Sequence, residues 1–412
     1  MEVKYGLPKE VLFCKKCNMS NQQPMSSNEY KHSGKSGKET MSFDEDGVCY
    51  ACNFNTFKDD GTIHWESREQ ELIELCNKYR KTDGSYDCIV GSSGGKDSAF
   101  QSHVLKYKYN MNPLTVTWAP HLYTDIGWEN HQNWVHEGGF DNFLFTPNGK
   151  IHRELTRQAT LNLLHPFQPF ILGQKTFVLK MAHRFNIPLI FYGESPAEYG
   201  EKMSVDAKKY SNVGEKNKNE GYSLDPLDGI DERDVLLGGK KVGDYLEDGV
   251  PLVELKNYLP IDSNILKDNK IDFFYLGYFL RWVPQEAYYY AVENTGFKAN
   301  PVRTEGTYSK YNSLDDKIDG MFYYTRYIKF GVGRTMMDSA QEIRNKHITK
   351  DEGIALMKRF EGEYPARYEK EFLDYVSMTK QEFSDLCDEF RSPHLWEKDE
   401  ENLWKLRSNP WD

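Results

Sequence analysis

One short run constrains this chain more than any other: Tyr86-Asp87-Cys88-Ile89-Val90-Gly91-Ser92-Ser93-Gly94-Gly95-Lys96-Asp97-Ser98-Ala99. The apolar part suits a buried strand, the glycines permit positive φ and close backbone approach, and the polar residues after them open a helix. Consecutive backbone N–H groups can then point into one concavity, and the helix N-terminus adds partial positive charge, so an anion belongs there. Ser93 and Ser98 add hydroxyl donors and Lys96 a full charge. Asp97 cannot ligate phosphate directly; it orients the loop or holds Mg²⁺. The bland alternative, a helix cap without a ligand, does not require Ser-Gly-Gly followed by Asp-Ser.

The surrounding pattern sets the fold class. Strands are expected at Tyr86 to Gly91, Leu114 to Trp118, Asn142 to Thr146 and Ile187 to Tyr192, with helices at Ser98 to Tyr109, Ile126 to His136, Ile151 to Leu164 and Ile171 to Phe185. A further helix, Trp65 to Tyr79, ends at the turn signal Lys81-Thr82-Asp83-Gly84. This βαβα alternation implies an α/β fold, a doubly wound parallel sheet with ligands at the carboxyl ends of its strands. Around it the chain divides into a Cys-bearing segment at 1–62, the sheet domain at 63–200, a polar insertion or linker at 201–270, and a mainly helical, aromatic and charged region at 271–412. A chain of 412 residues is long enough for two or three such units.

Seven cysteines fall into two groups. Cys14-Lys15-Lys16-Cys17 and Cys49-Tyr50-Ala51-Cys52 supply two tight pairs, the ligand set of a closed tetrahedral Zn²⁺ site, which would stabilise a segment too polar to fold by burial alone. A redox pair and another metal cluster are the alternatives. Cys76, Cys88 and Cys387 are scattered, and none stands on a nucleophile elbow. Paired knuckles of this kind suit a reducing compartment.

Lys and Arg total 52 against 63 Asp and Glu, a formal charge of −11, so a polyanion such as tRNA meets net repulsion. The first residues carry no basic region followed by an apolar stretch, and the chain has no apolar run near the ~20 residues of a membrane helix. A cytoplasmic protein with no nucleic-acid or membrane partner is expected.

The loop resembles the PP-loop of ATP pyrophosphatases, whose members cleave ATP between the α and β phosphates. With the knuckles and further strings in the same order, the whole chain resembles the bacterial N-acetyl sugar amidotransferase family, which makes acetamidino sugars for O-antigen and flagellar glycans. Those strings are Tyr123-Thr124-Asp125-Ile126-Gly127, Gly173-Gln174, Ile187 to Glu194, Gly306-Thr307-Tyr308, Leu314 to Gly320 and Lys329 to Arg334. The resemblance implies ATP and Mg²⁺ as cofactors, adenylation of an acetamido oxygen, displacement of AMP by ammonia, and separate glutaminase and ammonia-channelling partner subunits. A PP-loop tRNA-modifying enzyme with structural zinc is the competing class.

Ser93, Gly94, Gly95, Lys96, Asp97 and Ser98 are expected to hold ATP, with Lys96 and Asp97 also catalytic. Asp125, just past the second strand, is a ribose or metal contact or a plain loop carboxylate. Glu194, at the carboxyl edge after the fourth strand, is a second catalytic candidate or again a loop carboxylate. Asp316, with Asp315 and Lys317, serves a metal or the sugar, although Ser313-Leu314-Asp315-Asp316 also reads as a helix cap. Lys317 and Arg334 are the substrate-binding candidates, Arg334 able to grip a carboxylate or phosphate with two N–H groups or to form a surface ion pair. The Tyr-rich stretches near 288 and 323 could stack on sugar faces, but aromatic helices more often read as core, and His121, His131 and His136 read as packing or surface residues.

Overall fold

A computed structural model describes residues 1–25, 33, 35–200 and 231–412. In chain order the longer elements are α1 (Tyr50–Asp59), α2 (Trp65–Tyr79), β1 (Cys88–Gly91), α3 (Lys96–His103), β2 (Pro113–Trp118), α4 (Asp125–His136), β3 (Asp141–Phe145), α5 (Gly149–Leu163), α6 (Gln168–Arg184), β4 (Leu189–Tyr192) and β5 (Asp272–Tyr275). They are followed by α7 (Pro284–Thr295), α8 (Asp319–Phe330), α9 (Arg334–Arg344), α10 (Lys350–Phe360), α11 (Glu369–Val376) and α12 (Lys380–Phe390). The five strands form one sheet in the order β3-β2-β1-β4-β5, every pair parallel.

Period-two alternation explains why the sheet is covered on both faces. Ile89, Ile190, Phe273 and Tyr275 enter one core with α6 residues Leu172, Phe177, Val178 and Met181. Cys88, Val90, Leu189, Phe191 and Phe274 enter the opposite core with Leu72 and Cys76 of α2. The doubly wound parallel sheet expected from the sequence is therefore present. The helix expected from Ser98 to Tyr109 is α3 continued by a π-turn at Val104–Lys108.

The fifth strand comes from residues assigned above to the helical region, so position 270 does not separate sheet from helices. Its four residues include two phenylalanines and a tyrosine inside a longer aromatic stretch, a pattern too short to show a period. Of the stretch expected as insertion or linker, 201–230 lies outside the described residues. The remainder carries short elements whose Val235, Leu237, Val242, Tyr245, Leu255 and Tyr258 are buried in the α6-side core, so it is part of the sheet domain's wall.

The helical region closes over the strand ends. α8, α11 and α12 bury Met321, Ile328, Phe372 and Phe383 against Leu164 and Phe167 at the α5–α6 junction, and capping boxes at Thr349 and Thr379 start α10 and α12. The Cys-bearing segment docks on α9 and α10, sharing a core with Val332, Met336, Ala340 and Met357. Among the described residues, no helix is long and apolar enough to cross a membrane.

Candidate active site

The loop between β1 and α3 has the conformation its glycines predict. Gly94 lies at φ +88°, and a Cβ there would sit 2.7 Å from the His131 Cα of α4. The Ser98 hydroxyl accepts from the Ser93 and Gly94 amides at 3.3 and 3.1 Å and donates to Gly95 O at 2.9 Å, tying the loop to the first turn of α3. Lys96, largely buried, places Nζ 2.5 Å from Asp97 Oδ2. His131, read above as an ordinary packing residue, is buried behind the loop with Nδ1 3.4 Å from Ser93 O.

A cavity of about 400 Å³ opens from this loop. Glu194 lines it from the end of β4, with its Oε1 accepting from the Tyr199 hydroxyl at 2.7 Å. Burial, then repulsion from Asp97, pushes the Glu194 carboxyl above its ordinary pKa. The opposite wall is Tyr311 to Asp316, with Asp319 and Tyr323 of α8 and Arg334 and Asp338 of α9. Burial also raises the pKa of Asp315, although its hydrogen bond with Ser93 opposes the rise. Asp319 is raised further by burial and by repulsion from Asp315 and Asp316. Buried carboxylates that repel one another across a phosphate loop are what a divalent cation neutralises.

The Tyr123-Thr124-Asp125-Ile126-Gly127 string is the socket for this wall. Thr124 N donates to Asp315 O at 3.1 Å and Lys317 N to Leu122 O at 2.9 Å, while a Cβ on Gly127 would lie 2.4 Å from Asp315 Cα. Gly173 likewise lets α6 lie against the Trp118 ring, and Gln174 next to it faces the cavity.

The other sequence-predicted residues divide. Arg334 reaches the cavity; its guanidinium stacks on Tyr323 at 4.3 Å and its Nε lies 2.9 Å from Asp338. Asp316 borders it too, but its carboxylate accepts from His121 N and Ile318 N at 2.7 and 3.0 Å and meets His121 Nδ1 at 2.7 Å. So occupied, it is placed to hold the wall rather than to react. Asp125 is exposed on the first turn of α4 and lines neither this cavity nor its neighbours, because Thr124, as N-cap, turns the helix start outward. Lys317 points away, 3.7 Å from Glu371 and over Tyr368, since Asp316 and Ile318 on either side of it are buried. Asp319 and Asp338 were missed, although Asp338 follows Arg334 at the four-residue spacing of one helix face, and Tyr323 lies on the cavity, the less favoured of the two readings of its stretch.

The four knuckle cysteines are buried, and their Sγ atoms all lie within 4.8 Å of one another. Cys14 to Cys52 is 3.8 Å and Cys17 to Cys49 is 3.6 Å. A tetrahedron whose corners stand about 2.3 Å from a central Zn²⁺ has edges of about 3.8 Å, so the set is compatible with one metal ion. The Arg344 guanidinium donates to Cys17 Sγ at 3.7 Å and to Glu198 O at 3.2 Å, linking the cluster to the turn after β4. Met19, Gln23 and Met41 of the same segment complete the cavity wall.

Residues 305–409, which include that wall, match the family model described as LPS biosynthesis protein WbpG-like, C-terminal domain. The last quarter of the chain is WbpG-like. An uncharacterized protein of Methanocaldococcus jannaschii, MJ1599, is 40% identical over 53 residues, 13% of this chain; the chain spans 19% of that relative's length. Among solved structures, the NH3-dependent NAD synthetase of Campylobacter jejuni, in complex with the nitrate ion, aligns at TM-score 0.28 and 15% identity, covering 50% of this chain and 94% of that one. At that score the likeness is one of outline, and the fold rests on the strand order above.

Proposed function

We propose that this protein is an ATP-dependent amidotransferase that converts the N-acetyl group of a bacterial surface-glycan sugar to an acetamidino group, releasing AMP and pyrophosphate. The observation that carries this reading is the shared cavity: the Ser93–Ser98 loop on one side and the WbpG-like wall on the other.

An acetamido carbonyl is a poor electrophile because the nitrogen lone pair is delocalised into it. In the proposed reaction its oxygen attacks the α-phosphorus of ATP and the bond to the β-phosphate breaks, pyrophosphate leaving toward the loop amides and Lys96. Ammonia then adds to the carbon and loses a proton, and AMP departs with the former amide oxygen. Glu194 and Asp319, whose pKa values burial raises, suit the proton transfer. Arg334 and Tyr323 are placed to hold the sugar, and alignment in a closed cleft supplies most of the acceleration. Asp97 of the loop and Asp315 opposite it would help the ATP phosphates hold Mg²⁺, which screens phosphate charge. The four cysteines would hold a structural Zn²⁺.

Ammonia is taken from a partner glutaminase through a channelling subunit. Burial pushes the Cys76 and Cys387 thiols up to about 12 and raises Cys88 as well, so none of the three is a ready thiolate. An enzyme consuming ATP in this way works in the cytoplasm. The test supplies ATP, a panel of acetamido sugars, and either ammonium or glutamine. A product lighter by the difference between O and NH, with AMP, is expected from ammonium alone. Stoichiometric ADP, or glutamine-driven turnover by the isolated chain, would overturn the reading.

A further inference from the structure

One face of α1 ties the cysteine cluster to the turn that follows Glu194. The N-cap of this helix is Cys49, and Cys52, Asn55 and Lys58 follow at three-residue steps, so a thiol of the cluster, an amide and a cation lie in line along it. Asn55 Nδ2 donates to Arg344 O at 2.8 Å. Lys58, only 3% exposed, donates from Nζ to the carboxylate of Glu198, itself 4% exposed, at 2.8 Å and to Trp282 O at 2.9 Å. Arg344 grips the same residue, since its guanidinium donates to Glu198 O as well as to Cys17 Sγ.

These contacts bracket Glu194. The chain after it, Pro196–Tyr199, is the turn that Glu198 anchors, and Tyr199 of that turn donates to the Glu194 carboxylate. The residue before it, Gly193, lies against the Trp282 ring, where a Cβ would stand 3.3 Å away, and the same ring meets Phe100 of α3 edge-on with centroids 5.1 Å apart. Lys58 therefore holds both supports of Glu194 at once. Burial, the first cause of the raised Glu194 pKa, lasts only while the turn stays seated. Stability alone does not call for this arrangement, because the cost of desolvating a buried ion pair often leaves it no better than apolar side chains of the same volume. What the charged pair adds is a fixed separation and direction.

We propose that Lys58 and Arg344 are positioning residues for the reaction: they seat Glu194 through Glu198 and Trp282, so that the cysteine-held segment sets the geometry of the cleft as well as its own fold. Both act through other residues. The inference rests on the amidotransferase reading for the role of Glu194.

The test uses the zinc-loaded full chain and separates position from stability. The double variant Lys58→Met/Glu198→Met replaces the pair with side chains of similar volume and should melt no lower than wild type. Its kcat should nevertheless fall roughly tenfold or more, with KM for ATP within about twofold of wild type, because Glu194 is misplaced while the loop is not. Glu198→Gln still accepts from Lys58 but leaves its charge unpaired, so it should melt lower than the double variant and turn over faster. The order of stabilities and the order of rates should thus cross. Hydrogen exchange read by mass spectrometry should show faster exchange over 193–199 in the double variant, and in Arg344→Met with its zinc retained, than in wild type. Wild-type kcat in the double variant, rates that follow melting temperature, or unchanged exchange over 193–199 would overturn the proposal. Exchange and melting need no turnover, so a failure of every acetamido sugar to yield AMP strikes the amidotransferase reading and leaves the seating of 193–199 decided by those two measurements.

Discussion

Replacing Gly94 with Ala tests whether the loop's close approach to α4 matters for catalysis. Two effects add. At φ +88° an L-residue is strained by roughly 1–2 kcal/mol, and the new Cβ would lie 2.7 Å from His131 Cα and 3.1 Å from His131 N, both backbone atoms. Carbon atoms pack at about 3.5–4.0 Å, so the loop and α4 must separate by about 1 Å. A misplacement of that size costs on the order of 10²-fold in rate, or about 2.7 kcal/mol of transition-state stabilisation. The control is Gly149→Ala, where a Cβ meets nothing within 4 Å. Pyrophosphate release with saturating ammonium and sugar should fall about 10²-fold in Gly94→Ala and stay at the wild-type rate in Gly149→Ala. A folded Gly94→Ala protein within threefold of wild type would show that loop placement does not limit the reaction.

Metal analysis of the purified protein should find about one zinc per chain, and Cys49→Ser or prolonged chelation should lower the melting temperature and loosen the Arg344 link to Glu198; a stable, metal-free preparation contradicts this. Asp315 and Asp316 should separate by phenotype. Asp316→Asn should cost on the order of 2 kcal/mol in denaturant unfolding through its lost contacts to His121 and Ile318, whereas Asp315→Asn should fold normally and turn over slowly; the reverse pattern refutes the division. Glu361, whose carboxylate accepts from Gly333 N and Met336 N at the start of α9, has its pKa raised by burial from 4.5 to about 7. Its neutral form is the one the fold favours, so its contribution is complete below about pH 4.5 and lost as pH rises through about 7. Relative to Glu361→Gln, wild type should therefore lose up to about 3 kcal/mol between pH 4.5 and 8.5, and an unchanged difference in urea midpoints would sink the argument.

How much was legible in the sequence depended on the sequence distance over which each feature is assembled. The β1–loop–α3 unit is local, so residues 86–99 alone announced strand, glycine turn and helix. The cysteine pairs were equally plain, because each spans only four residues of sequence. The opposite wall is built across long separations: Asp316 meets His121 over 195 residues and Arg344 meets Cys17 over 327. No periodicity encodes such contacts, so Asp125 and Lys317, polar residues in suggestive strings, were chosen while Asp319 and Asp338 were passed over. Those strings were informative in another sense. Thr124 and Gly127 exist to receive the 314–317 segment, a packing role that sequence cannot separate from a catalytic one.

The central claim is that the acetamido oxygen itself attacks the α-phosphorus, and oxygen-18 reports on that atom directly. An acetamido sugar that supports turnover is labelled in its carbonyl oxygen and incubated with ATP, Mg²⁺, ammonium and the protein, and the nucleotide product is weighed by mass spectrometry. The account predicts one labelled oxygen in the phosphate of each AMP released, in step with amidine formation. Unlabelled AMP accompanying labelled-oxygen loss to water, or ADP in place of AMP, would contradict it.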